Sequence, residues 1–358
     1  MSPGSHPLHV ALLANLKKNA PAVPGTAADY WADLDSEHTV EAIADALRQR
    51  GHVVTFLEGD ATLYDRLREE QPDICFNICE GHFGDSREAH VPAILEMLRI
   101  PYTGSKVLTL ALALDKPMTK RVLTFHGLPT PPFQVFERPD EPLDPTLSFP
   151  LFVKPSRQGT GMGISAQSIA HDELAFRSQI KHLLEAYEEP VLVERFIAGR
   201  DVTVGMMGNL APPVAWRVPD NEEAPRVFYG LQFLPPLEIE LGAYDQEEGG
   251  VYTYRAKVEL ADKLNYICPA RLSPSQVEEL NWLAAATFRV TGCLDVARVD
   301  FRLDETDDET PYILEINPLP GLSPGISDLV IEAEAEGIMH AELVNLVIDT
   351  ALMRYGMA

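Results

Sequence analysis

The sequence predicts a mixed α/β fold with a parallel-sheet unit first and mixed α and β units after it. Three observations carry this expectation. Strand-like and helix-like segments alternate as β-α-β-α-β through the first hundred residues. The Pro-rich segment PDEPLDPTLSFP then interrupts all periodicity. Late in the chain, two apolar β-branched segments are joined by the acidic turn Asp304 to Glu309.

The first alternation runs HVALLAN, SEHTVEAIADALRQRG, HVVTFLE, a Leu-spaced helix, PDICFNICEG and a helix from about Arg87 to Arg99. Ser36 can cap the second element, and Gly51 stops it just after Arg48 and Arg50, the basic end that the helix dipole prefers. Helical stretches at Val107 to Leu114 and Lys116 to Phe125 lead into LPTPPF, so a domain boundary is expected near residues 127–150. Beyond it stand LFVKP, a glycine-rich loop, a helix from about Asp172 to Ala186, and VLVERFIAGRDVTVGMM, expected as paired strands. Residues 208–273 are weakly periodic and predict strands joined by a long loop around Gly249 to Ala270, of the kind that often covers sites. Ser273, Pro274 and Gln276 form a capping box that opens a helix to about Val290.

The 358 residues are 46% hydrophobic, enough for two or three packed domains. Asp and Glu number 54 against 29 Lys and Arg, a net charge of −25, which argues against a nucleic-acid or anionic-membrane partner. No stretch approaches the roughly 18 to 20 apolar residues that span a bilayer, and MSPGSHPLHV lacks a basic-then-apolar leader, so a cytoplasmic location is expected. Cys75, Cys79, Cys268 and Cys293 fit neither a disulfide framework nor a C-x-x-C metal site and are expected in the core.

In DVARVDFRLDETDDETPYILEINPLPG, Asp300, Glu315 and Asn317 can present three oxygen ligands from adjacent strands, a set suited to a hard cation such as Mg²⁺. Glu315 and Asn317 lie two apart on one strand face, inside an apolar run where an unpaired carboxylate is costly. Arg298, two before Asp300, either pairs with it or clamps an oxyanion beside the metal. Lys154 precedes a loop with Gly159, Gly161 and Gly163, a phosphate cradle without Walker spacing or an ordinary flexible tip. Lys116 is a second cation for the same phosphates or a solvated helix lysine. Glu194 and Asp201 can hold adenine and ribose, or merely flank a hairpin. Glu80, His82 and Arg87 follow a predicted strand end, where open α/β sheets place ligands, although His82 also reads as a surface histidine.

Taken together, EGHFGDSREAHVPAILEMLRIPYTGS, the DK-x-x-x-K of Asp115 to Lys120, VKPSRQGTGMGIS, VERFIAGRDVTV, YTYRAKVELADKLNYICPARL, ARVDFRL and LEINPLPG resemble, in order, the motifs of the ATP-grasp superfamily and within it the D-alanine:D-alanine ligase family. The resemblance covers nearly the whole chain. It implies a three-domain ATP-grasp fold: an N-terminal parallel-sheet domain over residues 1–126, a central lid domain over 127–207 and a C-terminal catalytic domain over 208–358. By the same likeness Lys116, Lys154 and Lys257 contact phosphates. Thr160, Phe196 and Ile197 help line the nucleotide site, and Glu194 and Asp201 hold adenine and ribose. Asp300, Glu315 and Asn317 would bind two Mg²⁺ ions, with Mn²⁺ as a substitute. Arg298 and the backbone at Gly321 would stabilise the tetrahedral intermediate. A homodimer through the N-terminal region is implied as well.

The departures from the family fall where it recognises its amino acids. No glutamate aligns well with the one that binds the first D-alanine, Glu37 being only a loose match, and Thr160 and Gly161 replace paired serines. Val258 stands where the family has a tyrosine, and Ile326 aligns with the serine that holds the second carboxylate, with Ser327 one step on. Losing such a donor costs about 1 to 3 kcal/mol. The resulting expectation is an ATP-dependent carboxylate-amine ligase acting through an acyl phosphate on small amino-acid-like substrates. D-alanine:D-alanine ligation and an ATP-binding regulatory protein without turnover are the alternatives.

Overall fold

A computed structural model of the chain describes residues 7–25, 27–211 and 230–358. Strands β1 (His9–Ala14), β2 (Val53–Glu58) and β3 (Ile74–Asn77) form a parallel sheet in the order β2-β1-β3. Central β1 is covered on both faces, which explains its unbroken apolar sequence. Val10, Leu12 and Ala14 point to one cluster, and Ala11 and Leu13 to another formed with Leu57, Leu67 and Leu95. The helix Glu37–Gln49 buries Val40, Ile43, Ala44 and Leu47 on one face, and Ser36 Oγ caps it by accepting from the Thr39 amide at 3.1 Å. The C-terminal helix His340–Tyr355 packs into the same cluster through Leu343, Val344, Val347, Ile348 and Ala351. Asn345 Nδ2 donates to the Ala46 carbonyl at 3.0 Å, so the two ends of the chain share one core.

The helices Val107–Leu114 and Lys116–Phe125 lead to β4 (Phe133–Phe136), β5 (Leu151–Pro155), β6 (Ile169–Ala170) and β7 (Val191–Arg195), a sheet ordered β4-β7-β5-β6. The helix Glu173–Tyr187 backs it, capped by Asp172, which accepts from the Ala175 amide at 2.8 Å. A six-stranded sheet follows, built from β8 (Gly199–Gly208), β9 (Leu231–Phe233), β10 (Leu237–Glu240), β11 (Asn265–Ile267), β12 (Asp295–Asp304) and β13 (Thr310–Asn317). The expected capping box opens the helix Pro274–Thr291, with the Ser273 amide donating to Gln276 Oε1 at 2.9 Å.

Two local expectations are corrected. The strands β7 and β8 do not pair with each other. β7 lies between β4 and β5, while β8 runs antiparallel to β12 along ten residues, from Gly199 opposite Asp304 to Gly208 opposite Asp295. With six successive buried positions, Val202 to Met207, this strand gains more from burial at the centre of the larger sheet than from a short hairpin. Residues 196–198 connect the strand β7 of one sheet to the strand β8 of the other. Residues 249–270 are also not a bare loop. They hold the short helix Tyr254–Val258, where Thr253 Oγ1 accepts from the Ala256 amide, and β11. Part of the weakly periodic stretch, residues 212–229, lies outside the described residues. Cys75, Cys79 and Cys293 are buried, Cys268 is half-buried, and all four are free thiols.

Candidate active site

A cleft of about 930 Å³ opens between the four-stranded and six-stranded sheets. On the first sheet, Phe152 and Lys154 are two apart on β5, and Phe152 stands opposite Glu194 of β7, so all three share a face. Lys154 Nζ meets Glu194 Oε1 at 2.8 Å, and Lys120 Nζ meets Oε2 at 2.8 Å. All three charges are buried. Burial pushes the Lys154 ammonium down, but Glu194, Glu315 and Asp300 outweigh it and hold the lysine above its usual range. Lys116 starts its helix behind Asp115, whose carboxylate caps the Met118 amide at 2.9 Å and pairs with Arg157. Its ammonium donates to the Gln158 carbonyl at 2.6 Å and lies 3.4 Å from Glu315.

The glycine-rich loop overhangs this cleft. Gly161 adopts φ +73, and a Cβ there would come within 2.9 Å of the Tyr254 amide, so only glycine lets the loop approach the helix that carries Lys257. Asp29 accepts from the Gly163 amide at 3.0 Å, and the Met162 and Ile164 amides close internal turns. Among the described residues, the backbone amides of Gln158, Gly159, Thr160 and Gly161 donate no hydrogen bond within the protein. Phe196, Ile197 and Asp201 line the same cleft, and Arg302 pairs with Asp201 at 2.6 Å.

On the six-stranded sheet, Asp300 lies opposite Glu315 and Arg298 opposite Asn317 across β12 and β13, which puts all four on one face. A register shift follows between Asp300 and Phe301. Asp300 accepts from Arg298 Nε at 2.8 Å, Arg298 Nη2 at 3.0 Å, Thr203 Oγ1 at 2.7 Å and Asn317 Nδ2 at 3.0 Å. Burial would raise the Glu315 pKa, but Lys116, Lys154, Lys257 and Arg298 together pull it down to about 2. Two carboxylates and an amide oxygen form an oxygen-only donor set. It fits a hard divalent cation that takes its other ligands from phosphate and water. Among the described residues no group of three or more His, Cys, Asp or Glu is placed to hold a metal ion by itself.

A second cavity of about 1240 Å³ adjoins the first and shares Lys116, Tyr252, Lys257, Glu315 and Asp328 with it. Arg298, Gly321 and Ser327 line this cavity, as does Glu80. Gly321 packs so close to Ser327 that an added Cβ would lie 2.8 Å from its hydroxyl oxygen. Ser327 Oγ accepts from the Ser323 amide at 2.9 Å, and Arg298 Nη1 lies 3.3 Å from Asp328.

Several expected residues lie apart from the place foreseen for them. Thr160, at φ +50, lines the second cavity rather than the cleft. His82 and Arg87 face a neighbouring cavity beside Trp31. Arg87 is buried and occupied, donating to Asp33 at 2.9 Å and to the Arg157 carbonyl at 2.9 Å, so it ties segments together instead of facing the second cavity. Glu37 is exposed and pairs with Lys18. In its place Asp33 and Asp35, from the segment before that helix, line the second cavity with Glu88. Sequence reasoning missed these three and Asp328. It also left Lys120 without a role, although its i,i+4 spacing from Lys116 puts both on one helix face.

Comparison with known proteins agrees with this geometry. A family model described as D-ala D-ala ligase C-terminus matches residues 122–229 and 237–349, more than half of the chain. The chain is 33% identical over 323 residues to uncharacterized protein y4sG of Sinorhizobium fredii, covering 88% of each. It is 33% identical over 328 residues to a D-alanine–D-alanine ligase of Pelotomaculum thermopropionicum, covering 89% of this chain and 92% of the relative. In fold it matches the crystal structure of the D-alanine–D-alanine ligase from Bacillus anthracis complexed with ATP, with a TM-score of 0.71 and 20% identity over 98% of this chain and 99% of that one. The protein belongs to the D-alanine–D-alanine ligase family and is an amide-forming enzyme on the ATP-grasp fold.

Proposed function

We propose that the protein joins two amino-acid-like substrates, phosphorylating the carboxylate of one with ATP so that the amine of the other displaces phosphate. The products are an amide, ADP and phosphate. One observation supports this above the rest: the two cavities meet at Lys116, Lys257 and Glu315. A triphosphate in the cleft and a carboxylate in the second cavity would therefore converge on the same cations.

In this reading Lys116, Lys154 and Lys257 take up phosphate charge, as phosphoryl transfer requires. Glu194 Oε2 meets Lys120 as an ion pair without hydrogen-bond geometry, which leaves it acceptor capacity for an adenine amino group. Asp201 faces the ribose, and Phe196 and Ile197 supply apolar wall. Two Mg²⁺ ions, or Mn²⁺, at Asp300, Glu315 and Asn317 would supply charge neutralisation at the phosphates. Arg298, fixed by two carboxylates, and the backbone at Gly321 are set to meet an oxyanion without reorganisation. We take the enzyme to be a cytoplasmic homodimer acting on small molecules. No helix among the described residues is long and apolar enough to cross a membrane.

The test is to incubate the protein with ATP, Mg²⁺ and a panel of D- and L-amino acids while following phosphate release and product mass. Amino-acid-dependent phosphate release with a new amide is the expected result; silence across the panel would overturn the reading. D-alanine as both substrates is the second reading, favoured by the identity to a relative bearing that name. It predicts D-alanyl-D-alanine as the dominant product.

A further inference from the structure

The second cavity carries more negative charge than its own cations offset. Six carboxylates line it, Asp33, Asp35, Glu80, Glu88, Glu315 and Asp328, against Lys116, Lys257 and Arg298. Three are engaged: Asp33 with Arg87 at 2.9 Å, Asp328 with Arg298 at 3.3 Å and Glu315 with Lys116 at 3.4 Å. Among the described residues, Asp35, Glu80 and Glu88 have no side-chain hydrogen bond or ion pair. They come from two separate segments, one before the helix Glu37–Gln49 and one after β3, and each is half-buried, so they are not a fully solvated acidic face. Their remaining surface lines the cavity.

Carboxylates half-buried in a cavity without partners either hold a proton or take a ligand cation as compensation. Burial first and Asp33 second push Asp35 up to about 7. Burial pushes Glu88 up to about 7 against the opposing pull of Arg87, and it raises Glu80 with help from Glu88. A single α-ammonium would satisfy one or two of these groups and leave the rest uncompensated. Glu88 also lies near enough to Lys116 and Glu315 to feel their charges, which puts this acidic end beside the site of phosphoryl transfer rather than beside Ser327.

Building on the ligase reading, we propose that the carboxylate-donating substrate is a diamino acid, its two ammonium groups shared among Asp35, Glu80 and Glu88 and its carboxylate turned towards Lys116. The specificity-determining residues are then Glu80 and Glu88, with Asp35 completing the cage.

Calorimetric titration of the full chain with ADP and Mg²⁺ present tests this independently of turnover. The ligands are both enantiomers of 2,4-diaminobutyrate and ornithine, each set against its uncharged isostere, norvaline or norleucine. The diamino acids should bind at least about tenfold more tightly, a difference of about 1.4 kcal/mol. Glu80→Gln combined with Glu88→Gln should reduce that preference to less than about threefold. Equal or tighter binding of the isosteres overturns the proposal, as does a preference that survives the double substitution. Amide formation from uncharged amino acids without diamino preference would sink this inference and leave the ligase reading standing. Selective diamino-acid binding without any amide product would do the reverse.

Discussion

Arg298 grips Asp300 through two near-parallel hydrogen bonds, Nε to Oδ1 at 2.8 Å and Nη2 to Oδ2 at 3.0 Å. The two residues are separated by one position on β12, so the strand itself sets them side by side on the face that looks into both cavities. Thr203 and Asn317 complete the set of donors to Asp300, which fixes the carboxylate before any ligand arrives.

Asp300→Asn should therefore abolish most turnover. The amide removes one negative charge from the oxygen set and cannot keep both bonds to Arg298. Amino-acid-dependent phosphate release should fall at least about 100-fold, or about 2.7 kcal/mol of transition-state stabilisation. Full activity in this variant would show that the divalent ions are held elsewhere.

Glu194 is a stability element as well as a candidate nucleotide contact. Replacing it with Gln leaves the buried ammoniums of Lys120 and Lys154 without their shared counter-charge. Breaking a buried pair in this way costs on the order of 3 to 5 kcal/mol. Thermal unfolding should show the loss. Lys120→Met in the same chain should restore part of it, because it withdraws one orphaned charge, and a double-mutant cycle reads that coupling.

The features legible in the sequence were those that depend on short range. Ser36 capping its helix, the acidic turn between β12 and β13, and the common face of Asp300, Glu315 and Asn317 follow from capping chemistry and from the two-residue repeat of a strand. The same local logic misread Glu194 to Asp201 as a hairpin, because two apolar segments with a glycine between them do not reveal which sheet each will join. The acidic cavity was invisible for a related reason. Asp35, Glu88 and Asp328 lie in three separate segments, and only the chain's long-range closure sets them around one space. Arg87 shows the converse: expected as a ligand contact, it is held by a distant aspartate, Asp33, beside a neighbouring cavity.

Glu88 makes the pH dependence of stability testable. Its carboxyl titrates near 4.5 when unperturbed and is raised to about 7 in the folded protein, chiefly by burial. Between those values the native state holds a proton that the unfolded chain has released. The stabilisation from this group is thus complete below about pH 4.5 and is lost as pH rises towards 7. Glu315 works in the opposite sense, its contribution being present above about pH 4.5 and lost as pH falls towards 2. Glu88→Gln should be more stable than the parent at pH 8 by on the order of 3 kcal/mol and by less than about 1 kcal/mol at pH 5. Urea unfolding at the two pH values decides the matter; a variant less stable at pH 8 would mean that Glu88 has a cationic partner in the folded protein.

Asp29 ties the segment after β1 to the glycine-rich loop. Its carboxylate accepts from the Gly163 amide at 3.0 Å and from the Tyr187 hydroxyl at 2.8 Å, joining N-terminal chain to the sheet that carries Lys154. A charged acceptor of this kind contributes about 1.5 to 3 kcal/mol when its donors are partly buried. Asp29→Ala should free the loop, which then samples positions farther from the cleft that Gly159 and Gly161 line. The expected result is a rise in KM for ATP of about tenfold or more, larger than any fall in kcat, together with faster proteolysis between residues 157 and 164. Tyr187→Phe removes one donor and keeps the Gly163 contact, so its effect should have the same direction and smaller size. If Asp29→Ala bound ATP as tightly as the parent, the loop's position would have to be set by its internal turns and by the approach of Gly161 to Tyr254, and Asp29 would be only a fold contact.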